Sequence, residues 1–116
     1  MAGFPTFVRR AANRIAAASQ HTADIEGYVF DGADGSQLAL WTAHADRVSD
    51  EHVHAFDEYV LVIEGAVTLY LGDVVTTHAA GAELVIPAGT RQRMGVTAGT
   101  RTLHAFGGQR ARRDVT

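Results

Sequence analysis

The sequence predicts an all-β domain of the antiparallel sandwich or jelly-roll class, preceded by a short N-terminal helix. Three observations carry that expectation. From Glu26 onward, short runs with strand-like alternation are separated by Gly, Asp and Thr. No later stretch has the apolar spacing of an amphipathic helix, so the connections that parallel strands need are missing. The 116 residues suit one domain that buries about two thirds of its unfolded surface.

The composition narrows the function classes. A formal charge of −3 exerts no broad pull on nucleic acid, and no apolar run is long enough to span a membrane. All 10 basic residues are Arg, which leaves out Lys-based Schiff-base and nucleophile chemistry. Without Cys there are no disulfides, thiolate ligands or Cys nucleophiles, which fits a cytoplasmic protein. No G-x-S-x-G elbow, P-loop or dinucleotide fingerprint occurs, and Ser19, Ser36 and Ser49 sit near turns without a paired base.

In order, residues 1–25 read as an N-terminal helix and connection, 26–108 as the barrel and 109–116 as a C-terminal tail. Phe7 or Val8, Ala11, Ile15 and Ala18 recur at helical spacing between Arg9, Arg10 and Arg14, which predicts an amphipathic helix with solvated arginines. His21 follows in a polar connection and is read as exposed. Gly27 to Phe30 is the first strand, Asp31-Gly32-Ala33-Asp34-Gly35 a turn, and Gln37 to Ala43 a strand sending Trp41 to one face. Glu58 to Glu64 and Ala66 to Leu71 flank Gly65, and Gly72-Asp73 supplies a hairpin turn. Val74 to His78, Glu83 to Ile86, Gln92 to Val96 and Thr100 to Phe106 complete the strands. Arg110, Arg112 and Arg113 read as a solvated, frayed terminus.

The chemistry concentrates in Glu51-His52-Val53-His54-Ala55-Phe56-Asp57-Glu58. Two apart on a strand, His52 and His54 project from one side with Cα atoms roughly 6 to 7 Å apart, close enough to share an ion. Glu58 would lie roughly 13 Å beyond His54 on a continuing strand, so it joins them only through a reversal at Ala55, Phe56 and Asp57. Two imidazole nitrogens and a carboxylate then form the facial set of non-haem Fe(II) sites, which also suits Mn, Ni or Zn.

These residues resemble the cupins, small jelly-roll barrels with two motifs. His52, His54, Glu58 and Gly65 fall at the intervals of G-x5-H-x-H-x3,4-E-x6-G, with Asp46 at its leading Gly. Gly81, Pro87 and Gly89 match G-x5-P-x-G-x2-H-x3-N, whose His falls on Gln92 and whose Asn falls on Val96. The resemblance implies that both motifs point ligands into the barrel, with Gln92 either a fourth ligand or a hydrogen-bonding partner of a bound water or substrate. It also implies one divalent first-row ion, Fe, Mn, Ni or Zn, and a homodimer. Trp41, Phe56, Met94, His104 and Phe106 are candidate pocket residues, His104 as a core or rim residue, an extra ligand or a proton shuttle. Arg91 and Arg93 should face away from Gln92 by alternation. The function expected is that of a metal-binding small-molecule enzyme, dioxygenase-like or isomerase/cyclase-like. The competing reading is a non-catalytic binding or sensing cupin with a degenerate site.

Overall fold

A computed structural model describes residues 3–114. Nine strands are present among them: β1 (Ile25–Asp31), β2 (Gln37–Ala43), β3 (Arg47–Val48), β4 (Glu58–Glu64), β5 (Ala66–Leu71), β6 (Val74–Ala79), β7 (Glu83–Ile86), β8 (Arg93–Val96) and β9 (Arg101–Phe106). They form two antiparallel sheets, one in the order β1-β2-β9-β4-β7 and the other β3-β8-β5-β6.

Alternation decides what faces inward. On β2, Gln37, Ala39, Trp41 and Ala43 are buried, on β4 Glu58, Val60 and Val62, and on β9 Thr102, His104 and Phe106. Register sets Ala39 and Val60 on either side of His104, and Gln37 and Glu58 on either side of Phe106. A polar group is thereby held among Val29, Ala39, Trp41 and Phe106, the centre of the apolar core.

The chain passes between sheets at Gly65. Its φ of 81° lies in the left-handed region, and a Cβ there would sit 2.3 Å from Thr100 Oγ1 and 2.8 Å from Thr100 Cα. Only glycine meets both conditions. Thr100 in turn receives the Ala66 amide at 3.1 Å, fixing the entry into β5.

The N-terminal segment corrects the expected helix. Among its described residues it contains only two short 3₁₀ helical turns, Ala11–Asn13 and Ala17–Ser19, neither with a side-chain cap. Between them Arg14 pairs with Tyr28, and the Ile15 amide donates to Gly27 O at 2.9 Å. β1 is a sheet edge with unpaired backbone groups, and satisfying them outweighs a helix of marginal length. Phe4 and Val8 pack with Tyr28 against Phe30, Leu40 and Ile63, while Phe7 stays exposed.

The C-terminal segment is not frayed up to Asp114. Ala111 is buried, Ile15 pairs with Arg113, and Arg113 reaches the Val29 carbonyl and the Asp31 carboxylate. Gln37, itself buried, receives the amides of Arg110 and Ala111, both at 2.8 Å. A strap from each end of the chain therefore closes the β1 edge and runs beside the inward face of the sheet.

Candidate metal centre

His52 and His54 lie on an extended segment, not on a strand. One isolated bridge, His52 with Gln92, ties the first motif to the second, with both N–H···O bonds at 2.9 Å. The Gly89 amide donates to His54 O at 2.8 Å from a positive φ of 81°, so the second motif's turn holds the first motif's backbone. The reversal at Ala55 and Phe56 is present, and it returns Glu58 to His54 with 3.5 Å between Oε1 and Nε2.

The third imidazole beside the pair is His21, which sequence reasoning placed in solvent. It stacks on His52 with ring centroids 4.0 Å apart and 10° between planes. One ligand atom from each of His21, His52 and His54 lies within 4.8 Å of the others. Holding one ion, whose bonds to nitrogen run about 2.0–2.1 Å, would require the His21 and His52 rings to turn out of their parallel stack, since each nitrogen lone pair lies in its ring plane. His21 carries no motif signal; the strap brings it in by packing Phe4, Val8 and Ile15, and the Asp50 amide fixes its carbonyl at 3.2 Å.

Hydrogen bonds prepare the donors. His52 Nδ1 lies 2.9 Å from the Asp50 carbonyl, an acceptor that assigns the proton to Nδ1 and leaves Nε2 with its lone pair. Burial lowers the His21 pKa to about 4, aided by the nearby charges of Arg110, His52 and His54. Burial also lowers that of His54, against the opposing pull of Glu58. Both rings are neutral near pH 7, as ligation requires.

Glu58 is embedded differently. Burial works to raise its pKa, but hydrogen bonds from His104 and Gln92 and the nearby His54 bring it below the ordinary value. Gln92 Nε2 donates to Oε1 at 3.0 Å, and His104 Nδ1 donates to Oε2 at 2.8 Å. His104 Nε2 then accepts from the Thr102 hydroxyl at 3.0 Å. Gln92 is 1 % exposed, and its Oε1 is the one buried side-chain polar atom without a partner among the described residues. An orphaned carbonyl costs about 1–3 kcal/mol, which a bound cation or water recovers. The three imidazoles converge as a donor set that fits a divalent first-row ion, with the Glu58 carboxylate beside His54.

His21, His52, His54, Glu58 and His104 line one open-mouthed cavity of about 90 Å³, walled by Ile25, Trp41, Met94 and Phe106 and reached by Arg110. Of the candidate pocket residues, Trp41, Met94, His104 and Phe106 line it. Phe56 stacks on His54 at 5.1 Å and supports it from outside. Arg91 pairs with Glu51, and Arg93 lies over Tyr70, both on the outer face.

The cupin domain profile matches residues 39–107, more than half of the chain. The chain belongs to the cupin family. Solved structures agree on the fold. An RmlC-like cupin from Shewanella frigidimarina NCIMB 400 is 13% identical, covering 78% of this cupin and 82% of that chain, with a TM-score of 0.69. KdgF from Halomonas sp. is 16% identical over 86% and 94%, TM-score 0.66. The polyketide cyclase RemF from Streptomyces resistomycificus is 18% identical over 90% and 81%, TM-score 0.69. At these identities the likeness is one of fold. A search of curated proteins found no match. Measured against the family motifs, this cupin retains the first His pair, carries Gln at the second motif's His, and places His21 beside the pair from outside both motifs.

Proposed function

We propose that this cupin is a metal-dependent enzyme acting on a small organic molecule by isomerisation or cyclisation. The observation that carries the reading is the convergence of His21, His52 and His54 nitrogens within 4.8 Å, next to a buried carboxylate and a largely apolar, open-mouthed cavity. His21, His52 and His54 are the ligands, with Glu58 in reach of His54 as a further donor and Gln92 orienting Glu58. A divalent ion bound there supplies Lewis acidity to an oxygen of the substrate.

The chain's own residues supply the proton handling. Glu58 holds the His104 tautomer with Nδ1–H towards the carboxylate, so Nε2 and the Thr102 hydroxyl form a short relay at the cavity wall. Such a relay serves the proton transfers of isomerisation and cyclisation, and it is the feature that favours Lewis-acid chemistry in this reading. Trp41, Met94 and Phe106 exclude water and orient the body of the molecule.

The test is turnover of a panel of small carbonyl and hydroxy compounds, followed by NMR, by protein loaded with Zn(II) or Mn(II) under argon. Conversion without oxygen supports the reading. A strict requirement for Fe(II) with consumption of O₂ would replace it with dioxygenation, and failure to take up any first-row ion would leave a non-catalytic binding cupin.

A further inference from the structure

Arg110 is a cation in this cavity whose role the metal reading leaves unexplained. Its guanidinium stands 5.2 Å from the Trp41 ring centroid and 5.9 Å from that of Phe106, and it donates to the Ser19 carbonyl. Its backbone is fixed by Gln37, whose Oε1 receives the Arg110 amide and whose Nε2 donates to Ala111 O at 3.0 Å. No carboxylate lies within salt-bridge distance of it among the described residues. Half-buried Arg101 and Arg113, by contrast, pair with Glu64 and Asp31. Glu58, the acid whose charge it feels, is already occupied by His104 and Gln92.

A largely desolvated guanidinium without an anion is costly, and its planar fork matches a carboxylate with two parallel hydrogen bonds. With a divalent ion on the imidazoles, the cavity would hold excess positive charge, since Glu58 supplies a single negative one. One arginine among Ile25, Trp41, Met94 and Phe106 suits a monoanion on a compact apolar body better than a phosphate, which calls for more donors. We infer that the molecule bound here is a small carboxylic acid, its carboxylate on Arg110 and its reacting part towards His21, His52 and His54. As a statement about the substrate this rests on the metal-dependent reading; as a statement about binding it is independent.

Calorimetric titration of the Zn(II)-loaded protein with benzoate, cyclohexanecarboxylate, benzamide and inorganic phosphate tests it. Both carboxylates should bind at least tenfold more tightly than benzamide or phosphate. Arg110→Gln should bring benzoate down to the benzamide level while zinc content and thermal midpoint stay unchanged, and Arg110→Lys should restore part of the preference. Equal binding of benzoate and benzamide, tighter binding of phosphate, no carboxylate binding at millimolar concentration, or an unaffected Arg110→Gln protein would each overturn the inference. Zinc content on the same samples separates the two readings. A zinc-free protein that still prefers benzoate through Arg110 overturns the metal reading alone, and a zinc-bound protein indifferent to carboxylates overturns this one alone.

Discussion

His21 and His52 stack face to face, 4.0 Å between ring centroids and 10° from parallel, although one belongs to the N-terminal strap and the other to the first cupin motif. Both rings line the cavity beside His54, so the strap is part of the site and not only a cover for the β1 edge. His21→Ala should therefore weaken metal binding at least tenfold while leaving the two sheets folded. Competition with a chromophoric chelator reads the affinity, and circular dichroism reads the fold.

Glu58→Ala removes the acceptor of two buried donors, Gln92 Nε2 and His104 Nδ1. Leaving both unpaired should cost about 2–4 kcal/mol, seen as a lower urea midpoint with an unchanged slope. Glu58→Gln keeps an oxygen for one of the donors and should lose less. Equal stability of Glu58→Ala and wild type would show that the network does not hold the site together.

Acid should weaken the metal-free protein in a defined window. In the unfolded chain His21 takes up a proton near its ordinary value of 6.5, whereas in the folded cavity it does so near 4. The unfolded state thus binds more protons between those values, and stability falls as pH drops from 6.5 towards 4. Glu58, whose folded pKa is also lowered, adds a further loss at more acid pH. Thermal midpoints across this range should slope less in His21→Ala, and the ring's own titration by NMR should lie near 4.

Gly65→Ala should be among the most damaging single-methyl substitutions in the chain. It forces a Cβ into Thr100 at a φ of 81°, where strain and overlap together cost about 2–4 kcal/mol. Gly72, also at positive φ but with open space around it, provides the control. Gly72→Ala should cost only about 1 kcal/mol, and chemical denaturation compares the two.

Much of this molecule was legible in its sequence because its strands alternate cleanly and its turns carry glycine. Gln37–Ala43, Glu58–Glu64, Ala66–Leu71 and Glu83–Ile86 have the bounds that their patterns indicate. The His pair and the reversal before Glu58 were equally readable, since spacing and strand rise demand the turn. His21 was not, because nothing local distinguishes a histidine in a polar connection from one that a distant strap swings into a cavity. The strap itself was misread as helix because Val8, Ala11 and Ile15 satisfy a helical period while also meeting the needs of a sheet edge. Arg110 was hidden for a similar reason, since a basic cluster near the end of the chain reads as a solvated tail, and its place depends on the distant Gln37 that holds its backbone.

Elemental analysis of the purified protein, before and after anaerobic addition of Fe(II), Mn(II), Ni(II) and Zn(II), decides whether His21, His52 and His54 hold a metal. About one first-row ion per chain is expected in the wild type, lost in His52→Ala and markedly reduced in His21→Ala. A wild type that retains none of the four ions, or a His52→Ala protein that retains as much as the wild type, would contradict that expectation.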